Sequence, residues 1–195
     1  MADLTPVVPG EPTRITAEHF LRLVDAGEFG CDDRVELLEG VIVSMPPPSP
    51  PHDSAITRAT YVLIGAAGDR AVVRTQCSFL ASRWSVPMPD IAVVPGTLDD
   101  YDTAHPAAAL LLVEIADSSL QQDRLSKSRI YAAAGVPEYW IVNLRSGALE
   151  VMRDPDRATA LYRDVRTLRP GETIELAALP GAAVEVAALF PRSGA

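Results

Sequence analysis

Apolar and polar positions along the chain follow first a helical and then a strand-like period. Between Thr16, a residue suited to cap a helix, and Gly27, apolar residues recur at helical spacing, which predicts a short first helix. The next segment, VELLEGVIVSM, is rich in β-branched residues and is interrupted by Glu39 and Gly40. This pattern predicts two strands that are joined by a tight hairpin turn.

Prolines and then a second apolar pattern occupy the region after the hairpin. The run PPPSPPH, residues 46–52, predicts a rigid, extended connector that excludes helix until it ends. Apolar residues at helical spacing then predict an amphipathic helix from Asp53 to about Ala67. Three strand candidates follow, of which the last two are apolar enough to be central strands buried on both faces: AVVRTQCSFLA, MPDIAVV and ALLLVEIA.

The chain after the third strand candidate predicts one more helix and then only strands. Asp117, Ser118 and Ser119 offer N-capping side chains for a helix that runs to about Ala134 and ends at Gly135. YWIVN returns as a strand, and ALEVMRD and ATALYRDV predict a hairpin around a DPDR turn, before two short apolar runs. This order predicts an α/β fold with a mixed sheet, flanking helices and a β-rich C-terminal extension.

Length and composition indicate one domain. The chain has 195 residues, of which 48% are hydrophobic, enough for one sizeable core and too few for two ordinary domains. We expect a flexible, proline-rich tail over residues 1–13 and a single domain over residues 14–195. Because no long apolar run and no signal-like N-terminus occur, we expect a soluble, cytoplasmic protein. Cys31 and Cys77 lack metal-ligand spacing, so neither a disulfide framework nor a zinc site is expected.

The charge of the chain limits how it can bind nucleic acid. Its formal net charge is −9, which disfavours a protein that coats nucleic acid through a broad basic surface. Any grip on nucleic acid must therefore be local. Of the 17 basic residues, all are arginine except Lys127. Lysine is a compact cation with a tunable pKa, which suggests a special role, but chance survival at an exposed helix position explains a single lysine equally well.

Two acids occupy strand positions where a carboxylate is costly unless it has a partner. Asp90 lies at the start of the strand in MPDIAVV, and Glu114 lies within LLLVEIA, so the pair suggests a shared cation or metal ion. Two carboxylates on adjacent strands are suitable ligands for Mg²⁺ or Mn²⁺. In the following helix, Asp123, Lys127 and Tyr131 are spaced i, i+4 and i+8, which places the lysine on a face that the three share.

A set of two acids and a lysine is suited to phosphodiester hydrolysis. A metal ion neutralises the phosphate and lowers the pKa of bound water, while a lysine orients the attacking water or stabilises developing charge. A purely structural alternative explains each residue separately. In that alternative, Asp90 caps a turn and Glu114 pairs with an arginine, while Lys127 and Asp123 form an exposed pair at helical spacing.

The motifs also resemble those of a known family. The segments VELLEGVIVSMPPPSPPH, MPDIAVV and LLLVEIADSSLQQDRLSKSRIYAAAGVPEYWIVN are similar to the Uma-type family of bacterial proteins, a branch of the PD-(D/E)XK nuclease superfamily. The resemblance spans roughly residues 16–150. It joins a Pro-Asp strand, a Glu-bearing strand, a D-x-x-x-K helix and a G-V-x-E-Y-W strand in that order. It implies a restriction-endonuclease-like fold.

The resemblance implies roles for four residues. Asp90 and Glu114 correspond to the metal ligands for Mg²⁺ or Mn²⁺, Lys127 corresponds to the catalytic lysine, and Glu36 corresponds to a further catalytic acid. The superfamily's usual lysine lies two residues after the glutamate, where this chain has Ala116. The Uma-type branch is similar to this chain in carrying its lysine on the helix that follows.

Four further residues carry less weight. His52, after the prolines, is a candidate contact to substrate or metal, but a cap or surface position is the more frequent explanation. Gln76 is equally compatible with lining the site and with facing solvent. Tyr139 and Trp140 are more typical of core positions than of platforms on which bases stack.

The sequence therefore favours a divalent-metal-dependent endonuclease that hydrolyses phosphodiester bonds of DNA, with RNA as the alternative substrate. A homodimer formed through the apolar C-terminal strands is also expected, since two-fold symmetry suits the cleavage of two strands. The competing function is a nucleic-acid-binding or regulatory module with little or no turnover, and the negative net charge favours it modestly.

Overall fold

The computed structural model describes residues 13–30, 33–45 and 47–192. Two predictions therefore fall outside the described residues: the flexible tail over residues 1–13, except for Thr13, and the environment of Cys31. Among the residues that are described, no helix is both long enough and apolar enough to cross a membrane.

The N-terminal part forms the predicted helix and hairpin. Helix α1 (Ala17–Asp25) begins after Thr16, whose hydroxyl accepts a hydrogen bond from the backbone N–H of His19. The hairpin consists of strands β1 (Val35–Leu38) and β2 (Val41–Ser44), which pair antiparallel. Both predictions are confirmed.

The hairpin turn depends on the left-handed backbone of its two central residues. Glu39 has a φ of 50° and Gly40 a φ of 85°, as a type I′ turn requires. A Cβ atom at Gly40 would lie 2.6 Å from Cβ of Arg14. Glycine is therefore required here both by the backbone conformation and by the close approach of the preceding chain.

Helix α2 (Pro50–Ala67) begins three residues earlier than predicted. Its N-cap is Ser49, whose hydroxyl accepts from the backbone N–H of His52, and Pro50 and Pro51 form the start of the helix. The expectation that the proline run excludes helix until its end was wrong. A proline in the first helical turn loses no hydrogen bond, because the N–H groups there have no partner within the helix.

A six-stranded mixed sheet forms the centre of the fold. Its strands are β3 (Val72–Thr75), β4 (Ile91–Val94), β5 (Leu111–Ala116), β6 (Glu138–Asn143), β7 (Ala148–Asp156) and β8 (Leu161–Leu168). They lie side by side in sequence order; β5 and β6 run parallel and the neighbouring pairs antiparallel. All residues of β4 and β5 are buried, which confirms the prediction of two central strands.

Two strand predictions were wrong at their boundaries. The candidate over residues 71–81 forms only the four-residue β3. This strand ends before Gln76, because the φ of 49° at Gln76 interrupts the extended conformation. The DPDR segment is not the turn between β7 and β8, because β7 continues through Asp156. The connection falls instead on residues 157–160, where Ala160 has a φ of 56°.

The helix after β5 has three parts. Helix α3 (Leu120–Gln122) passes into a π-helical turn over Asp123–Lys127 and then into helix α4 (Ser128–Ala134). Gly135, with a φ of 81°, ends it as predicted. The predicted side-chain cap is not formed: Ser119 is the N-cap residue, but its hydroxyl donates to a side chain one turn further on.

The C-terminal extension adds a small hairpin, β9 (Thr173–Glu175) and β10 (Ala183–Glu185). The buried carboxylate of Glu138 connects it to the sheet. Its Oε1 accepts from Nε of Arg153 and Nε1 of Trp140, while Oε2 accepts from the backbone N–H of Ala177 at 2.7 Å.

Each face of the sheet is covered by a different set of elements. Helix α2 and the C-terminal extension pack on one face. The β1–β2 hairpin and α4 pack on the other, where Leu112 and Ala116 of β5 join their cluster. Because side chains alternate along a strand, Glu114 points toward α4 and the hairpin. The fold thus directs a strand carboxylate into the layer that contains Lys127.

Replacement of Leu63 tests the packing of α2. Leu63 is fully buried against the sheet, whereas its neighbour Ile64 is 54% exposed. We expect Leu63→Ala to lower the free energy of unfolding by about 2–5 kcal/mol, because it leaves a cavity. Ile64→Ala, the matched control, should change it by about 0.5 kcal/mol or less. Urea unfolding followed by circular dichroism measures both, and equal losses would contradict the described orientation of α2.

Candidate active site

A pocket of about 170 Å³ opens where β1, β4, β5 and the start of α2 and α3 meet. The residues that line it come from all these elements and from the proline segment: Arg34, Glu36, Ser44, Met45, Pro47, Pro48, Ser49, His52, Met88, Asp90, Glu114, Asp117, Ser118, Ser119, Gln122, Asp123 and Lys127. The structure therefore brings together all four residues that the sequence singled out as catalytic.

Asp90 and Glu114 are neighbours across two antiparallel strands. Ile91 of β4 pairs with Val113 of β5, so the next residues along, Asp90 and Glu114, lie side by side. Asp90 Oδ2 accepts a hydrogen bond of 2.8 Å from the backbone N–H of Ile115. This bond fixes the aspartate at the strand edge, beside the glutamate.

Lys127 is buried between two carboxylates. Its Nζ lies 3.0 Å from Oε1 of Glu114 and 3.3 Å from Oε2 of Glu36, and the residue is only 4% exposed. The exposed pair of Lys127 with Asp123 that the structural alternative required is not observed, because both side chains are buried. The partner of Glu114 is the lysine, not an arginine.

The π-helical turn sets the direction of the lysine. A π turn inserts an extra residue into an α-helix, and such turns are frequent at functional sites. Here Asp123 and Lys127 bound the turn and are both buried. Tyr131, one α-helical turn further, donates its hydroxyl hydrogen to Glu114 Oε1 at 2.7 Å. Three side chains of one helix thus point at the sheet.

Glu36 receives two further hydrogen bonds that sequence reasoning missed. Its Oε2 accepts from the backbone N–H of Met88 at 3.1 Å, and its Oε1 accepts from Nε2 of Gln122 at 3.3 Å. These contacts join residues that are 52 and 86 positions apart. No local pattern predicts such pairs, since they exist only after the hairpin has packed against the sheet.

Burial and mutual repulsion change the pKa of the central groups. Burial, followed by the carboxylates of Asp90, Asp123 and Glu36, raises the pKa of Glu114 well above its usual value, against the attraction of Lys127. Burial opposes the charge of Lys127, but the surrounding carboxylates outweigh it and raise the pKa of the lysine. The site holds more buried acids than bases, and this excess of negative charge favours a cation.

Asp123 is a second acid with a raised pKa. Burial raises its pKa from 3.8 to about 6, while Lys127 and a 2.6 Å hydrogen bond from the Ser119 hydroxyl counteract the shift. The folded chain therefore holds this proton more tightly than the unfolded chain. Its contribution to stability consequently decreases as the pH rises from about 4 to about 6.

His52 lies at the pocket wall and contacts Asp90. Its Nε2 is 3.3 Å from Asp90 Oδ2, and that contact raises the pKa of the imidazole. The histidine is therefore neither a side-chain cap nor a surface residue, although its backbone N–H does donate to Ser49. Its position in the first turn of α2 depends on the helix starting at the prolines, which the sequence pattern did not predict.

The remaining candidates lie outside the pocket. Gln76 contacts the site only indirectly, because its backbone N–H donates to the carbonyl of Asp90. Tyr139 and Trp140 are completely buried, which confirms their prediction as core residues. Ala116, at the position of the superfamily's usual lysine, is buried at the end of β5.

Asp90 and Glu114 are the residues best placed to hold a metal ion. The contacts that described residues make to them converge on Asp90 Oδ2 and Glu114 Oε1, which leaves the second oxygen of each for another ligand. Within the described ranges, no three His, Cys, Asp or Glu side chains are arranged around one ion. Two carboxylates nevertheless fit Mg²⁺, which is usually bound through one or two carboxylates, with water and phosphate oxygens as further ligands.

Comparisons with known proteins identify the family and the fold of the chain. The model of the Uma2 family, described as "putative restriction endonuclease", matches residues 17–187. The fold is similar to the crystal structure of a "putative nuclease belonging to DUF820" from Anabaena variabilis, with a TM-score of 0.71 and 17% identity. That similarity covers 90% of this chain and 97% of the other, and it confirms the predicted fold class. No curated protein matches the chain.

The titration of Asp123 tests the electrostatics of the pocket. We expect its carboxyl carbon, observed by NMR, to titrate with a midpoint near pH 6. Ser119→Ala should raise that midpoint further, because the hydroxyl stabilises the charged carboxylate. Ser118→Ala, which alters an exposed neighbour, should leave it unchanged. A midpoint near 4 in the unaltered chain would show that Asp123 is exposed to water.

Proposed function

The chain belongs to the Uma2 family, and we propose that it is a divalent-metal-dependent endonuclease that hydrolyses phosphodiester bonds of DNA. The observation that carries this proposal is the convergence of Asp90, Glu114 and Lys127 in one buried pocket. The family's description as restriction endonucleases supports the reaction class. The residues of the pocket support the dependence on a metal ion, because two adjacent carboxylates each carry an oxygen to which no described residue donates.

In the proposed mechanism, Asp90 and Glu114 hold Mg²⁺ or Mn²⁺. When bound, the ion supplies charge neutralisation of the phosphate and a lower pKa for water. Asp90 keeps its orientation through the N–H of Ile115, and Glu114 through Tyr131 and Lys127. The two carboxylates therefore present their remaining oxygens toward the pocket from a rigid strand pair.

Lys127 is proposed as a charged hydrogen-bond donor. Its ammonium group lies between Glu114 and Glu36, so it can orient the attacking water or stabilise negative charge that develops on the phosphate. Glu36 positions the lysine, and its bonds to Met88 and Gln122 fix the glutamate in turn. We assign Glu36 a positioning role within the catalytic set.

The proposal also includes the cellular setting and the assembly of the chain. We propose that residues 14–195 form one domain that acts in the cytoplasm, and that the chain forms a homodimer. The outer strand β8 supports the dimer, because its apolar residues Leu161 and Val165 are 57% and 60% exposed and would be buried by a second copy. The mass of the protein in solution, measured by light scattering, tests this assembly.

A second function is a binding or regulatory module on the same fold. The observation that favours it is the charge of the pocket, in which five acids face Arg34, Lys127 and the imidazole of His52. A phosphate backbone is repelled by such a pocket unless a cation compensates. The cleavage assay described next separates this function from the first.

Cleavage of supercoiled plasmid and of single-stranded DNA is the direct test. With Mg²⁺ or Mn²⁺, we expect the unaltered protein to cut at least one of these substrates and EDTA to abolish the cutting. Asp90→Asn, which retains size but removes charge, should lower the rate at least about 100-fold while circular dichroism shows an unchanged fold. Persistent cleavage by Asp90→Asn would remove the aspartate from the site, and absence of cleavage by any protein would favour the binding module.

The lysine is tested by removing its charge. Lys127→Met should lower kcat about 100- to 1000-fold, because no cation remains beside Glu114. Lys127→Arg should also be impaired, because the wide guanidinium fork does not match a buried slot shared by two carboxylates. Arg166→Met, on the distant strand β8, controls for the loss of a positive charge and should retain activity. Full activity of either lysine variant contradicts the assigned role.

A further inference from the structure

Five of the 16 arginines of this acidic chain line two grooves that share no lining residue with the active-site pocket. Two grooves of about 960 and 170 Å³ meet at Ser82. They are lined by five exposed arginines, which we call the arginine face: Arg14, Arg22, Arg83, Arg129 and Arg157. The only acids that line the two grooves are Glu18 and Glu39, so the described lining carries a formal excess of three positive charges.

The contrast with the active-site pocket is the reason to look for an anionic ligand here. The pocket lining contains five acids, with Arg34, His52 and Lys127 as its bases. The whole chain carries a net charge of −9. A patch of opposite sign on such a chain attracts anions locally, although the protein as a whole repels them.

One member of the arginine face is held in place by the end of α4. Nε and Nη2 of Arg157 donate to the carbonyls of Ala133 and Ala134. A Cβ atom at Gly135 would lie 2.7 Å from Nε of Arg157. The helix end and its glycine therefore fix this guanidinium group beside the larger groove, instead of leaving it free to fold onto a surface carboxylate.

The larger groove of the arginine face and the active site lie at opposite ends of the same helix. Lys127 begins the last two turns, and Ala134 ends them beside the larger groove. Seven residues at 1.5 Å each give a separation of roughly 10 Å along the helix axis. Each strand of duplex DNA carries one phosphate per 3.4 Å of axis, so the distance corresponds to about three phosphates.

We propose that the arginine face binds the phosphate backbone of DNA a few nucleotides from the phosphate that is cut. This inference rests on the proposed nuclease function for its biological sense, but the binding itself does not require cleavage. Guanidinium groups bind phosphate in a bidentate manner, and each such contact releases counterions from the DNA. The face thereby provides the local grip that the acidic composition requires.

Salt-dependent binding to a fluorescein-labelled 20-base-pair DNA in EDTA tests the proposal without any cleavage. The unaltered protein should bind, and log K should fall linearly with log salt concentration. Arg22→Ala and Arg129→Ala should each weaken binding and reduce the slope by about 0.9, and the double variant by about 1.8. The matched control is the double variant Arg166→Ala/Arg169→Ala, which removes two exposed arginines at the end of β8, leaves the face of Leu161 and Val165 unaltered and should bind as tightly as the unaltered protein.

The outcomes separate this proposal from the nuclease function. Loss of binding only in the groove variants supports the arginine face, even if no DNA is cleaved. Equal loss in the β8 control means that only overall charge matters, and overturns it. Unchanged binding by the double groove variant, or no binding by the unaltered protein at low salt, overturns it as well, whatever the cleavage assay shows.

Discussion

The ion pair of buried Lys127 with Glu114 and Glu36 is the constraint on which the rest of the site depends. A buried charge costs several kcal/mol in lost solvation unless partners with good geometry compensate it. The three charges belong to a helix, to the central strand that directly precedes it and to the N-terminal hairpin, which is far from both in sequence. Correct packing of all three elements is therefore required before any of these charges becomes acceptable, and the pair couples the fold to the site.

The same constraint leaves the site short of positive charge. One lysine faces the carboxylates of Glu114, Glu36, Asp123 and Asp90, which together raise its pKa. Burial, together with the repulsion among these carboxylates, raises the pKa of Glu114 and the pKa of Asp123. The divalent cation that we propose for Asp90 and Glu114 would compensate this excess of negative charge. The larger groove of the arginine face, at the other end of α4, places positive charge outside the acidic pocket, where we propose that a polyanion binds.

The amino-acid sequence alone predicts those parts of the structure that depend on neighbouring residues. Buried strands β4 and β5, the hairpin turn at Gly40 and the acid, acid, lysine set follow from apolar runs, turn residues and costly strand carboxylates. Other features depend on distant packing. The helix start at Pro50 and the π turn at Asp123–Lys127 are compatible with many sequences, so no pattern singled them out. The contact of His52 with Asp90 follows from that helix start.

The chain itself shows why a lysine occupies position 127. Two other buried glutamates are paired with arginines at positions that solvent can reach: Glu138 with Arg153 and Glu150 with Arg124. The side chains of those arginines are 25% and 48% exposed, so their additional N–H donors reach water or backbone carbonyls. The Lys127 side chain is 6% exposed and must serve two carboxylates at once. Five guanidinium donors cannot all be satisfied in that space, whereas three ammonium donors nearly can. The single lysine thus stands at a site that excludes the alternative cation, which makes chance survival the weaker explanation.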